Sequence, residues 1–250
     1  MTPPPRDPIQ APGTPEEVWR AWPVLAGLPA FELPAAGRVV VVAAHPDDEV
    51  LGFGGAMAEL ADRGVDLRLV AVTDGEASHP AGHPLAAGLA GRRTAETGHA
   101  LAALGATAAV TVTRLALPDT GVAAHEEELV RLLTPLLEGA ALCAAPWTGD
   151  VHADHEAAGR AAVEAARAAA VPLVQYPVWM WHWAAPQDER VPWHRACRLP
   201  LSPALRERKR AAVDCFTSQT EPLGDGPGED AVLPPGELAH HLRPWEVVFR

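Results

Sequence analysis

The feature that most limits the fold is a run of six apolar residues, mostly valine, at 39–44. No polar residues alternate with them, so both faces of this segment must be buried, as in a strand of a parallel sheet. The pattern then recurs, with helices predicted over 50–63, 91–104, 126–137 and 154–169 and strands over 66–72, 109–114, 141–145 and 171–177. Such alternation is typical of βαβ units. We therefore predict an α/β fold with a doubly wound, mostly parallel Rossmann-like sheet and helices on both faces.

The composition divides the chain into three parts. Residues 1–37 are rich in proline, with a short helix expected over 14–22, and residues 38–178 hold the α/β core. Residues 179–250 form a Trp- and Pro-rich extension that we expect to pack on the same domain as a lid or acceptor region. Its predicted elements are an irregular stretch over 179–200, a basic helix over 203–216, an acidic loop over 221–230, and a short helix and an edge strand over 238–250.

The charge balance excludes several classes of partner. Lys and Arg number 20 and Asp and Glu 32, so the net charge of −12 argues against nucleic-acid binding and a polybasic membrane anchor. No apolar run approaches the roughly 18 residues of a membrane span, and the first residues lack a signal-peptide pattern. Three widely spaced cysteines do not suit a disulfide scaffold. We expect a cytoplasmic protein that binds neither nucleic acid nor membrane.

Two predicted loops concentrate histidines and carboxylates. The loop after the first strand reads His-Pro-Asp-Asp-Glu at 45–49, and the loop after the fourth strand contains Asp150, His152, Asp154 and His155. Ligands of open parallel sheets bind beyond the carboxyl ends of the strands, so we expect both loops at one edge. Two histidines from separate loops with one carboxylate are a common ligand set for catalytic zinc. The sequence therefore predicts a metal site at this edge.

These loops resemble the paired signatures of the PIG-L/LmbE-like family, whose members are zinc-dependent deacetylases that remove N-acyl groups from amino sugars. The resemblance rests on residues 45–49 and on the His-Ala-Asp-His sequence at 152–155. Supporting matches occur at 72–76, at Arg93 with Glu96, and at 117–119, and the resemblance runs from about residue 39 to residue 176.

The resemblance implies a metal centre and two catalytic residues. His45, Asp48 and His155 are implied as the ligands of one Zn²⁺ per chain, for which Fe²⁺ or Mn²⁺ could substitute. Asp47 is similar to the general base that takes a proton from the attacking water, and we expect the cation to lower its pKa. His152 is similar to the group that stabilises the oxyanion as an imidazolium.

Two further carboxylates in the second loop are expected to support these groups. Asp154 is predicted to orient one of the histidines and to fix its tautomer. Asp150 stands where some family members have a tyrosine, and it is a candidate for a hydrogen bond to His152 and for the proton relay.

Other residues are candidates for substrate contact. Arg93 and Asp119 are similar to residues that hold the sugar, although an ion pair with Glu96 is an alternative for Arg93. Three tryptophans lie within 179–183. Trp181 is expected to stack on a sugar ring, with burial in the core of an irregular lid as the alternative. Three histidines without an assigned role are candidates for the mouth of the site: His182, His240 and His241.

We therefore predict a zinc-dependent hydrolase that removes an N-acetyl group from an amino sugar or its glycoside, a small-molecule substrate. One alternative is an amidase that cleaves a different amide, such as a mycothiol conjugate. Another is a catalytically inactive relative that binds sugar. The presence of both Asp47 and His152 argues against the inactive relative, since a binding protein needs no base beside a metal.

Overall fold

The computed structural model describes residues 8–79, 86–224, 226 and 229–250 of the protein. Its strands are β1 (Arg38–Ala43), β2 (Asp66–Ala71), β3 (Val110–Arg114), β4 (Leu142–Pro146), β5 (Leu173–Tyr176), β6 (Ala196–Pro200) and β7 (Trp245–Phe249). Its α-helices are α1 (Glu16–Arg20), α2 (Pro23–Gly27), α3 (Asp48–Asp62), α4 (Ala86–Ala103), α5 (Glu126–Leu137), α6 (Ala153–Ala168), α7 (Met180–Trp183), α8 (Pro203–Val213), α9 (Thr217–Thr220) and α10 (Pro235–His241). Within these residues, no helix combines the length and the apolar character needed to cross a bilayer.

The seven strands form one sheet in the order β3-β2-β1-β4-β5-β7-β6. The first five pair in parallel, and β7 runs antiparallel to both β5 and β6. Chain order reverses between β1 and β4, which is the place where open parallel sheets form their binding crevice. The prediction of a mostly parallel α/β sheet is confirmed.

The valines of β1 show how the sheet is covered on both faces. Successive side chains of a strand point to opposite faces. Val39 and Val41 pack in one cluster with Phe53 of α3, whereas Val40 and Val42 pack in a second cluster with residues of α5 and α6. Because all four valines are fully buried, the unbroken apolar run of the sequence is explained by two hydrophobic layers.

The C-terminal part of the chain is more regular than its sequence indicates. Strand β6 occupies the end of the stretch 179–200, which was expected to be irregular, and β7 lies inside the sheet rather than at its edge. The charged Glu246 within β7 favours an edge position in the sequence, but in the structure it is buried as an ion pair with Lys209 of α8. Residues 1–7 of the Pro-rich segment, and residues 225, 227 and 228 of the acidic loop, lie outside the described residues.

A buried ion pair joins α8 to β7 and to α3. Lys209 donates from Nζ to Oε1 of Glu246 at 2.7 Å and to the carbonyl oxygen of Leu51 at 2.7 Å. Glu246 also accepts from the backbone N–H groups of Gly55 and Ala56. Burial lowers the pKa of Lys209 and the carboxylate of Glu246 opposes this effect. The C-terminal extension is therefore fastened to the helix that follows the first site loop.

Candidate active site

The two predicted site loops meet at the carboxyl edge of the sheet. Strands β1 and β4 are parallel neighbours, so the loops that follow them, at 44–47 and 147–152, lie side by side. A cavity of about 540 Å³ opens at this edge, and its wall includes His45, Asp48 and His155. The topology thus brings together the three residues predicted as metal ligands.

The ligand atoms of these three side chains lie close together. Nδ1 of His45 lies 3.1 Å from Nε2 of His155, which lies 3.2 Å from Oδ1 of Asp48. The other oxygen of this carboxylate, Oδ2, lies 3.6 Å from Nδ1 of His45. Ligand atoms about 2.1 Å from a tetrahedral zinc are separated by about 3.4 Å. The arrangement therefore fits one divalent cation, and the ring nitrogens of His45, His152 and His155 lie within 4.8 Å of one another beside it.

Burial and neighbouring charges shift the pKa values of these groups in opposite directions. Burial lowers the pKa of His155, but Asp48 and Asp150 outweigh it and raise the value to about 9. Burial likewise lowers the pKa of His45, and the carboxylates around it raise the net value well above normal. For Asp48, burial raises the pKa, but the two histidines hold it well below its usual range. The cluster favours positive charge at its centre, which is the charge that a bound cation supplies.

Asp150 fixes His155 and not His152, contrary to the sequence-based prediction. Its Oδ2 lies 2.7 Å from Nδ1 of His155. The same carboxylate accepts from three successive backbone N–H groups at residues 178–180. These donors at the start of α7 draw the fully buried side chain to the side of the site occupied by His155. A carboxylate behind a metal-binding histidine fixes the ring orientation and its tautomer.

Two carboxylates lie behind His45. Oδ2 of Asp154 is 3.2 Å from Nε2 of His45, as expected for a residue that orients this ring. Oδ1 of Asp119 is also 3.2 Å from that nitrogen, and its Oδ2 accepts from the N–H of Ala77 at 2.7 Å. Asp119 was predicted as a sugar contact, and it does line the cavity. Its clearest contact, however, is with His45.

Asp47 lies in the tight turn between β1 and α3, with a φ of +125°, an uncommon value for a residue other than glycine. Arg93 holds this turn, because it donates to Oδ2 of Asp47 at 3.2 Å and to the carbonyl oxygens of Pro46 and Gly75. Oδ1 of Asp47 receives no hydrogen bond from the described residues. Burial raises the pKa of Asp47 to about 7 although Arg93 opposes it, and the lowering expected from a bound cation stays a prediction.

Arg93 therefore contacts the predicted base rather than the glutamate one turn further along its helix. Glu96 accepts instead from Arg92 at 3.1 Å and from the hydroxyl of Ser218 at 2.6 Å. The predicted alternative of an Arg93–Glu96 ion pair is wrong. Arg93 is buried and lines the cavity, so its guanidinium both holds Asp47 and forms part of the cavity wall.

His152 packs against the rings of His45 and His155. Burial lowers its pKa to about 3, with further contributions from His155 and His45. Its Nδ1 is buried without a hydrogen-bond partner among the described residues. The direction of the shift favours a neutral imidazole, which has one N–H group to donate, and the imidazolium implied by the resemblance stays a prediction.

Trp181 is not part of the cavity wall, which corrects its prediction as a substrate contact. It packs edge-on against Trp19, with 5.2 Å between ring centroids, and the guanidinium of Arg243 stacks on its face at 4.0 Å. Trp179 lines the cavity instead. Both tryptophans lie in or beside the single turn of α7. Which of them faces the cavity depends on the orientation of this helix, which the sequence does not specify.

The remaining histidines separate into two groups. His182 is part of the cavity wall. His240 is buried and lies 2.8 Å from Oε2 of Glu16, and His241 is buried as well. Neither His240 nor His241 is among the described residues of the cavity wall, so only His182 of the three candidate histidines lines the site there.

The sequence of this chain matches a known protein family and several curated proteins. The model of the PIG-L family, described as GlcNAc-PI de-N-acetylase, matches residues 40–166. The diacetylchitobiose deacetylase of Thermococcus kodakarensis is 30% identical over 139 residues, which cover 54% of this chain and 51% of that protein. A 1D-myo-inositol 2-acetamido-2-deoxy-alpha-D-glucopyranoside deacetylase of Actinosynnema mirum is 45% identical over 82 residues, covering 30% and 29% of the two chains. The chain thus spans about half or less of these curated relatives.

One solved structure matches a larger share of the chain than the curated relatives do. The zinc inhibited form of teicoplanin deacetylase Orf2 matches with a TM-score of 0.59 over 85% of this chain and 97% of that chain, at 18% sequence identity. At this identity the likeness is one of fold. The family match is stronger, because it covers just over half of the chain and both site loops. The chain belongs to the PIG-L family of GlcNAc-PI de-N-acetylases.

Proposed function

We propose that this protein is a metal-dependent hydrolase that removes the N-acetyl group from an amino sugar or its glycoside. The observation that carries the proposal is the cluster of His45, Asp48 and His155. It lies beside Asp47, whose Oδ1 receives no hydrogen bond from the described residues. The names of the curated relatives support the substrate class, since both describe deacetylases of acetylated amino sugars.

The donor set suits zinc, because two imidazole nitrogens and one carboxylate oxygen are common zinc ligands. Fe²⁺ or Mn²⁺ could substitute, since no thiolate restricts the choice. When bound, the cation polarises the amide carbonyl and acidifies water. Because the structure of Orf2 is described as a zinc inhibited form, each metal is best assayed at one equivalent.

The chain supplies the proton transfers. Arg93 occupies Oδ2 of Asp47, so Oδ1 is the oxygen that would take a proton from the attacking water. The same carboxyl would then return the proton to the departing amine, which an amide needs because its nitrogen is a poor leaving group. His152 would donate its N–H group to the oxygen anion that develops on the carbonyl.

The C-terminal residues 179–250 would form the acceptor region, beside an N-terminal segment at 1–37 and a catalytic core at 38–178. The support is that Trp179, Gln219 and Leu233 line the cavity together with the metal ligands. A cytoplasmic location is supported by the three cysteines, all of which are unpaired.

Two neighbouring tryptophans give a matched test of the acceptor region. Trp179→Ala should raise KM for N-acetylglucosamine glycosides, because the ring would stack on the sugar. It should lower the free energy of unfolding by less than Trp181→Ala does. Trp181→Ala should lower the free energy of unfolding by about 3 kcal/mol and leave KM unchanged. Steady-state kinetics and urea unfolding of both variants check this, and an unchanged KM in Trp179→Ala would show that this ring does not contact the substrate.

Acetate release tests the proposed function. The protein, loaded with one equivalent of zinc, manganese or iron, is incubated with N-acetylglucosamine, its methyl glycoside and N,N′-diacetylchitobiose. We expect acetate and the free amine in equal amounts from at least one of them. Failure with every metal and every sugar would contradict the proposal, and hydrolysis of a cysteinyl amide instead would favour the mycothiol-conjugate amidase.

A further inference from the structure

The N-terminal segment contributes to the wall of the cavity. Ile9 and Gln10, in the 3₁₀ turn Pro8–Gln10, line the same cavity as the metal ligands. We call residues 8–14 the strap. Its far end is held by α7 and the residue after it, because the N–H of Thr14 donates to the carbonyl oxygen of His182 at 2.8 Å and its hydroxyl donates to that of Ala184 at 2.6 Å.

The ring of His182 holds the middle of the strap. Its Nε2 lies 2.8 Å from the carbonyl oxygen of Ala11, and its Nδ1 lies 2.6 Å from Oε1 of Glu237 on α10. A carbonyl oxygen can only accept, so Nε2 is the donor. Gly13 packs so closely on the ring that a Cβ there would collide with it. One largely buried imidazole thus joins the strap to two elements of the C-terminal region.

The element that carries His182 is also tied to the metal centre. Asp150 accepts from the N–H groups at the start of α7 and contacts His155 with the same carboxylate. The ring of His182 further lies against Trp179 of the cavity wall, with 6.0 Å between centroids. The strap is therefore positioned relative to the metal ligands by a continuous set of contacts.

We propose that His182 is a positioning residue that fastens the strap over the cavity, and that the strap limits the size of the acceptor group carried by the amino sugar. This inference rests on the proposed function, since it concerns what the same cavity takes. Ile9 and Gln10 belong to the strap and form one part of the cavity wall. Release of the strap would therefore enlarge the cavity on that side. The preferred substrate is accordingly a glycoside with a compact acceptor.

Four variants test the role of His182. His182→Ala removes both ring contacts, and Gly13→Ala displaces the ring without altering it. His182→Gln keeps a donor near the position of Nε2. Arg190→Ala is the control, because this exposed arginine stacks on Trp183 and bonds to Asp188, both outside the strap. All are made in a zinc-loaded Asp47→Asn background, so that ligands bind without turnover.

Two measurements follow on these proteins. Hydrogen exchange of the peptide that contains residues 8–14 should be faster in His182→Ala and Gly13→Ala, closer to the parent in His182→Gln, and unchanged in Arg190→Ala. Calorimetry gives the ratio of the Kd values for methyl N-acetylglucosaminide and N,N′-diacetylchitobiose. In the two loosened variants this ratio should shift several-fold in favour of the larger ligand.

Unchanged exchange in both loosened variants would show that His182 does not hold the strap. Faster exchange with an unchanged Kd ratio would overturn the role in acceptor size, as would the failure of both ligands to bind the parent protein. Faster exchange and a shifted Kd ratio in the loosened variants, without acetate release by the protein that retains Asp47, would support the strap and contradict the proposed function. The two proposals therefore fail in different ways.

Discussion

The Asp47→Asn variant should lose turnover by about 10²- to 10⁴-fold, the usual contribution of a general base, while it still binds one equivalent of metal. The amide keeps the shape of the side chain and can still accept the hydrogen bond that Arg93 makes to Oδ2. It cannot take a proton from water. The rate of acetate release and the metal content of the purified variant check this expectation.

Glu49 provides the matched control for Asp47. It is fully buried next to the same turn, and its Oε2 accepts from the N–H of Asp47 at 3.2 Å. Burial raises the pKa of Glu49 to about 8, and this direction favours the protonated carboxyl, of which glutamine is a close substitute. Glu49→Gln should retain most of the activity. Near-wild-type acetate release by Asp47→Asn would instead assign the base to another residue.

The Lys209→Ala variant should lose about 3–5 kcal/mol of unfolding free energy, the usual cost of removing one partner from a buried ion pair. The carboxylate of Glu246 would remain buried without its cation, and the carbonyl oxygen of Leu51 would lose a donor. Urea unfolding at neutral pH measures the change. Loss of the donor to Leu51 should also disturb the candidate active site, because Leu51 is part of the cavity wall.

Arg210→Ala is the control for Lys209, since Arg210 lies on the same helix but is exposed. Its free energy of unfolding should stay within about 0.5 kcal/mol of the wild type. The double variant Lys209→Met/Glu246→Gln should be more stable than Lys209→Ala, because it leaves no unpaired charge. Equal stability of Lys209→Ala and Arg210→Ala would contradict the importance of the buried pair.

Local sequence determines much of the fold and the position of the site. Four valines in succession require burial on both faces, and the helices that follow leave few arrangements other than a parallel sheet. The predicted ligand His45 lies in the loop after β1, and His155 lies in the first turn of the helix after β4. Because β1 and β4 are parallel neighbours, the topology brings the two residues together. The pattern at 45–49 and 152–155 therefore predicted which side chains would meet at this edge.

The surroundings of the site depend on contacts between distant segments. Arg93 contacts Asp47 from another helix, and Asp150 turns toward His155 because N–H groups at 178–180 attract it. Trp181 lies in the core because α7 is oriented by these same groups. The strap carries no motif at all. Such contacts are fixed by tertiary packing, which neither spacing nor periodicity specifies.

The dependence of acetate release on metal tests the account most directly. Protein stripped with a chelator is titrated with Zn²⁺, and acetate release from N,N′-diacetylchitobiose or the best sugar found is followed. We predict that the rate rises linearly up to one equivalent of metal per chain. His155→Ala should bind no stoichiometric metal and release no acetate. Full metal occupancy in His155→Ala, or a wild-type rate that does not change with metal, would contradict the assignment of His45, Asp48 and His155 as the catalytic metal site.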